Sequence, residues 1–128
     1  MEIDKRILKD TVFIKDLQIS ELRLLKDGDL DWFVLVPKVP GTIELIDLSL
    51  DEQELLLRDI DRVSRILKQF SNPDKINIGA LGNMVPQLHI HIIARYKSDR
   101  AWPNAVWGTK SKKNYQDYMA KEWIQRFN

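Results

Sequence analysis

Apolar and polar positions alternate along this chain with two different periods, and the two periods divide it into strands and helices. After Ser49 the residues Leu56, Ile60, Val63, Leu67 and Phe70 recur every three or four positions, which is the spacing of one buried helix face. The start Ser49-Leu50-Asp51-Glu52 has capping-box spacing, so the serine oxygen accepts an orphan N–H while Glu52 reaches back. Ser71-Asn72-Pro73 ends the helix, because proline disfavours helical geometry in the residue before it. Strand-like segments surround this helix. Thr11–Lys15 and Leu22–Lys26 are short, and Trp32-Phe33-Val34-Leu35-Val36 is a continuous apolar run stopped by Pro37, as expected of a central strand covered on both faces. Ile76–Leu81 follows the helix, a turn at Gly82-Asn83 comes next, and Gln87–Arg95 alternates with period two. From Lys112 onward Tyr115, Met119, Trp123 and Phe127 stand four apart, which predicts a C-terminal amphipathic helix.

No repeat, low-complexity tract or linker interrupts the 128 residues, so residues 1–128 read as a single domain. With 44% hydrophobic and 30% charged residues, a soluble globular fold is expected and a disordered chain is not. No apolar run approaches the ~20 residues of a membrane helix, and the start MEIDKRILKD does not resemble a secretory leader. A cytoplasmic protein with no membrane partner is therefore the expectation. Cysteine is absent, which excludes disulfides, thiolate catalysis and cysteine-type zinc sites. Charge is uneven: residues 1–94 carry 12 Lys/Arg against 16 Asp/Glu, and residues 95–128 carry 8 against 3. The basic end suits either a solvated surface or a polyanionic ligand such as a phosphate chain. No nucleic-acid partner is expected.

The chemistry concentrates in the Gln87–Arg95 segment. In a strand Leu88, Ile90, Ile92 and Ala94 point one way, and Gln87, His89, His91, Ile93 and Arg95 the other. Same-face neighbours stand roughly 6.6 Å apart at Cα, so Gln87, His89 and His91 form a polar row that holds the only two histidines of the chain. Three readings of that row are open. It is a pair of hydrogen-bonded strand histidines. It is half of a metal site, although no cysteine or third histidine completes one and a carboxylate must come from elsewhere. Or it is a nucleophilic site in which one imidazole attacks and the other polarises or protonates.

Gln87-Leu88-His89-Ile90-His91-Ile92-Ile93 resembles the signature of the histidine triad (HIT) superfamily, with the first histidine replaced by Gln87. The order of elements is similar too, from about residue 20 to 95: an apolar strand ending Val36-Pro37-Lys38, a long helix, an Asn77-to-Asn83 strand and turn, then the triad strand. Trp102-Pro103 resembles a Trp-Pro pair found after the triad in one branch. The resemblance implies an α+β fold with an antiparallel sheet of about five strands, one long helix and a C-terminal helix, paired as a homodimer. It further implies a nucleotide phosphohydrolase or nucleotidyl transferase acting at the α-phosphorus of dinucleoside polyphosphates or similar nucleotides, on an anhydride or phosphoramidate bond. His89 would form the nucleotidyl intermediate and His91 would contact phosphate oxygens or the leaving group. Neither a metal nor another cofactor is implied.

Gln87 is expected to orient a phosphate or His91 at the catalytic site but cannot change protonation state near neutrality, so a nucleotide-binding module with little turnover is the alternative. Asn83 stands where a family glutamine contacts the phosphate chain, and Met84 where Ser or Thr is common. Family members also use an acidic residue for the ribose hydroxyls. Asp27 is the candidate, although counting back from Pro37 aligns Leu24 with that position. On parity alone Arg95 is a candidate for a distal phosphate or an exposed strand-end cation, and Asn77 lines the site or serves the nearby turn. Trp102 and Trp107 stack on a base, cover a dimer seam near the partner's site, or pack.

Overall fold

The computed structural model describes all 128 residues. In chain order the elements are α1 (Lys5–Asp10), β1 (Thr11–Asp16), β2 (Ser20–Leu25), β3 (Trp32–Pro37), a 3₁₀ turn (Leu45–Asp47), α2 (Leu50–Ser71), β4 (Lys75–Gly79), β5 (Ile90–Arg95) and α3 (Asp117–Arg126). The strands form one sheet in the order β1-β2-β3-β5-β4, and every neighbouring pair is antiparallel. This is the expected α+β arrangement. All six residues of β3 are buried, as its uninterrupted apolar run requires of a strand covered on both faces.

The two faces of the sheet have different covers. On one, Leu22, Leu24, Phe33, Leu35, Ile90, Ile92 and Ala94 meet Leu56, Val63 and Leu67 of α2 and Ala120, Trp123 and Phe127 near α3. Each fully buried aliphatic side chain contributes about 1.5–3 kcal/mol. Trp32, Val34, Val36 and Ile93 form the other face, under Ile7 of α1, Leu30 and Val106. The alternation in β5 therefore sorts Ile90, Ile92 and Ala94 toward α2, and His91, Ile93 and Arg95 toward the second layer.

Helix α2 starts on the expected box, with Ser49 Oγ accepting from Glu52 N and the Glu52 carboxylate accepting from Ser49 N. It ends on Asn72, whose left-handed φ of 45° closes the C-terminus. Several boundaries differ from the sequence reading. Phe70 is 45% exposed rather than part of the buried stripe. The buried polar residue of α2 is Asp59, which accepts hydrogen bonds from the N–H groups of Gln18, Ile19 and Ser20 and so clamps the β1–β2 turn. Helix α3 starts at Asp117 rather than near Lys112. The Asp29 carboxylate accepts from Lys112 N and Lys113 N, and Gly28 lets this loop approach: a Cβ there would lie 2.1 Å from the Lys113 carbonyl oxygen. Strand β5 begins at Ile90, so Gln87–His89 is irregular backbone. No helix is long and apolar enough to cross a membrane.

Candidate functional site

β5 is the fixed wall of the site. His91 is paired with Val34 of β3 on one side and Gly79 of β4 on the other, which sets its backbone in the middle of the sheet. Only 9% of the residue is exposed. The Trp32 indole N–H donates to His91 Nδ1 at 2.9 Å. Trp107 stands perpendicular to the His91 ring at 5.5 Å and reaches this position over Gly79, where a Cβ would come within 3.1 Å of the indole. Burial, with a smaller effect of His89, pushes the His91 pKa down to about 4.

His89 precedes the strand and is half-buried, its ring 5.0 Å from that of His91. Its Nδ1 lies 2.7 Å from the carbonyl oxygen of Gln87. A carbonyl only accepts, so His89 Nδ1 carries the proton and Nε2 keeps its lone pair. The two histidines share a cleft with Arg6, Asp10, Thr11, Leu25 and Val34. On the other side of His89 an open groove of about 260 Å³ runs past Ile43, Leu45, Ile46, Leu81 and Leu88. The His89 imidazole is thus set at the junction of a small, mostly apolar cleft and a larger groove of mixed polarity.

The sequence row survives only in part. Gln87 does not align with the imidazoles: its Oε1 accepts from Asp4 N at 2.7 Å and its Nε2 donates to the Glu2 carbonyl at 3.0 Å. The side-chain amide is taken up by main chain, which replaces the expected role of orienting a phosphate or His91. Asn83 and Met84 are exposed in the loop between β4 and β5, and the Asn83 side chain makes no hydrogen bond within the chain. Arg95, placed by parity on the face of His91, is not an exposed strand-end cation. Its guanidinium donates to both oxygens of Asp99 at 2.7 and 3.0 Å, to Asn77 Oδ1 at 2.8 Å and to the Asn104 carbonyl at 2.8 Å, and it lies 5.9 Å from the Trp102 ring centroid. Arg95, Asn77 and Trp102 thus form one internal cluster, in which Arg95 holds the Asp99 carboxyl well below the usual carboxylate range. Asp27 is also committed, accepting from Asp29 N, Leu30 N and both terminal nitrogens of Arg100; it borders a different cleft, beside Phe70 and α3. Both loop tryptophans pack on their own chain, Trp107 against His91 and Trp32.

Three contributors escaped the sequence reading. Trp32 counted as an apolar core residue, and its indole N–H was the signal overlooked. Asp4 and Arg6 belong to α1, which the sequence announces through Asp4 as N-cap, accepting from Arg6 N. No group of three His or carboxylate side chains is placed to hold a metal ion.

The HIT domain family matches residues 6–98 of this chain. Bis(5'-adenosyl)-triphosphatase of Saccharomyces cerevisiae is 30% identical over 98 residues, which are 73% of this chain and 48% of the yeast protein. The chain thus spans about half the length of the curated relatives it matches. Among solved structures, a histidine triad protein from Bradyrhizobium japonicum superposes with a TM-score of 0.92 at 42% identity, covering 98% of this chain and 93% of that one. A histidine triad protein from Sinorhizobium meliloti does so with 0.92 at 34% identity and the same coverage. With the doubly anchored His89–His91 pair on a β-β-β-α-β-β frame, these likenesses establish that the chain belongs to the HIT family.

Proposed function

We propose that this protein is a nucleotide phosphohydrolase or nucleotidyl transferase that acts at the α-phosphorus of dinucleoside polyphosphates, with His89 as nucleophile. One observation carries the reading: the hydrogen bond from His89 Nδ1 to the Gln87 carbonyl, which leaves Nε2 with a free lone pair at the cleft. A neutral imidazole held in this tautomer attacks phosphorus near neutral pH and divides one displacement into two. His91, on the same cleft, has only Nε2 available for a phosphate oxygen. The activity printed for the yeast relative supports the substrate class. Asn83 is the free amide nearest in sequence to the triad and is assigned to the phosphate chain. Asn77, Arg95 and Trp102 support the wall beside the histidines, and Asp27 holds the loop that carries Arg100 at a separate cleft.

A homodimer belongs to the same proposal. It is supported by the position of β4 at the sheet edge with Ile78 half exposed, and by exposed Leu81 and Ile46 on the groove next to His89. A cytoplasmic setting is part of the same proposal. A binding module with little turnover is the second reading, favoured by the commitment of Gln87 to main chain, which leaves two groups rather than three at the cleft.

The test is to trap radiolabelled adenylate on the protein as an acid-labile, base-stable phosphoramidate. Label on the wild type and none on His89→Ala is the expected result. Equal labelling of the two overturns the assignment, and tight nucleotide binding with no label or product selects the binding module. Sedimentation at micromolar concentration reads the dimer.

A further inference from the structure

The contact between Trp32 and His91 limits what the second histidine can do, once His89 is read as a nucleophile at phosphorus. An indole N–H has a proton to give and no lone pair to offer. The atom that faces it at 2.9 Å, His91 Nδ1, must therefore be unprotonated. Both residues are buried, and the rings are braced: Trp32 meets His91 edge-on at 5.7 Å and Trp107 at 5.9 Å. The His91 ring cannot turn over without losing both the bond and the packing.

An imidazolium at this position would oppose two N–H donors in a buried place, which leaves both without an acceptor and disfavours the charged form. Nothing nearby compensates. From β3 and β4 the neighbours are Val34 and the Gly79 backbone, from the 101–109 loop Trp107, and from the approach to β5 a second imidazole, His89. Helix α1 contributes Arg6 and Asp10 to the cleft, and neither hydrogen-bonds to His91.

We infer that Trp32 is a positioning residue that holds His91 as a neutral Nε2–H donor, so that the site polarises the phosphoryl group without supplying a proton to the leaving group. A neutral imidazole used as an electrophile is an established pattern of catalysis. Its consequence here is substrate choice: leaving groups must depart as stable anions, which selects phosphoanhydrides over alkyl phosphoramidates.

The balance of the reaction makes the distinction. The lone pair of His89 Nε2 forms a P–N bond as the bond from phosphorus to the leaving oxygen breaks, and that oxygen departs with the electron pair as part of a phosphate anion. No proton is required. An alkylamine would have to leave as an amide anion unless it were protonated, and the other polar side chains of the cleft, Arg6, Asp10 and Thr11, are of types that do not titrate near neutrality in water. In the second step water forms the new P–O bond, the P–N bond returns its pair to Nε2, and the surplus proton goes to bulk water. His89 Nδ1 keeps its proton throughout.

The experiment uses protein labelled with ¹⁵N-histidine, whose two histidines are assigned with His89→Ala. The expected spectrum has His91 protonated at Nε2 alone and unchanged from about pH 8 to about pH 5. Trp32→Phe keeps a ring in the core but removes the donor, so the Nδ1–H tautomer becomes populated and the pH at which His91 protonates rises. An Nδ1–H in the wild type, titration of His91 near its ordinary value, or an unchanged tautomer in Trp32→Phe overturns the lock. The wild-type spectrum is decisive even where the variant folds poorly. A kinetic arm compares diadenosine polyphosphate with an adenosine alkyl phosphoramidate, and kcat/KM should favour the anhydride by roughly 10²-fold or more, the scale of general-acid assistance withheld. Comparable rates overturn the substrate preference. Absence of turnover on both, with no adenylate on His89, overturns the nucleophile reading and the preference with it, while the spectrum still decides the tautomer.

Discussion

Gln87 joins the triad segment to Asp4: its Oε1 accepts the Asp4 N–H at 2.7 Å while its Nε2 donates to the carbonyl of Glu2 at 3.0 Å. One amide thus bridges two main-chain groups two residues apart, as a neighbouring strand would. Arg6 adds a second tie, donating to the Met84 carbonyl at 2.8 Å. The glutamine is a clasp that holds α1 against the loop before His89. Gln87→Ala should cost about 1–2 kcal/mol, the worth of one partly buried and one exposed hydrogen bond, and speed amide exchange at Asp4. Gln87→His should act in the same direction, because the nitrogens of an imidazole point apart and cannot serve both groups at once. Exchange mass spectrometry and urea titration check this; a histidine variant that keeps the protection and gains kcat would show that the clasp is dispensable.

The buried His91 makes stability depend on pH over a defined window. Its folded pKa is pushed down to about 4, against about 6.5 for an imidazole in water. Between these values the unfolded chain binds a proton that the folded one refuses, so stability rises with pH and is lost as pH falls from about 6.5 toward 4. The gap corresponds to roughly 3 kcal/mol by pH 4. The carboxylates with lowered pKa, Asp4, Asp29, Asp47 and Asp99, contribute stability that persists above their ordinary value and disappears only below it, so they do not act in the same window. Urea midpoints across this range should fall steadily for the wild type and remain nearly level for His91→Asn, whose Oδ1 can still accept from Trp32.

The elements that bury a periodic apolar face were legible in the sequence. The α2 stripe and its capping box, the apolar β3 and the alternation of β5 each follow from local pattern, and the His-x-His spacing points to the 5.0 Å pair of rings although His89 stands just before the strand. What was not legible is polar and non-local. Arg95 and Asp99 are four residues apart, but nothing in the sequence says that Asn77 and the Asn104 carbonyl complete their cluster. Gln87 reaches residues more than 80 positions away. Helix α1 is six residues long, too short for periodicity to declare it, and is fixed by its cap and by Ile7 packing on the sheet. The late start of α3 has the same origin, since the pull of Asp29 on Lys112 and Lys113 is a tertiary contact.

Asp59 shows how strongly such a contact can act. The residue is 1% exposed, and its two oxygens accept three consecutive N–H groups of the β1–β2 turn at 2.9 to 3.0 Å. Asp59→Ala leaves these donors facing apolar surroundings and should cost about 3–4 kcal/mol. Asp59→Asn keeps one acceptor but sets an NH₂ against an N–H, and should recover less than half of the loss. Thermal unfolding of the two variants measures the difference, and equal melting temperatures would mean that water replaces the carboxylate.

Arg95 tests whether the wall beside the histidines is structural or binds ligand. Its side chain is 2% exposed and that of Asp99 is 4% exposed. The guanidinium makes two bonds to Asp99, and Asn77 and Asn104 accept from its remaining faces. A phosphate could recruit this cation only by displacing Asp99, which also accepts from the N–H groups of Tyr96, Ala101 and Trp102 and so fixes the loop that carries Trp107 toward His91. Arg95→Met leaves a buried carboxylate without its partner and should cost about 3–5 kcal/mol. Arg95→Lys keeps the charge but cannot reproduce the fork, and should lose a smaller share of stability. Where the lysine variant is folded, nucleotide affinity should change less than about twofold, because the cation is not at the cleft; binding titrations beside urea curves separate the outcomes. A tenfold loss of affinity at full stability would instead identify Arg95 as a phosphate ligand and require the Asp99 pair to open when nucleotide binds.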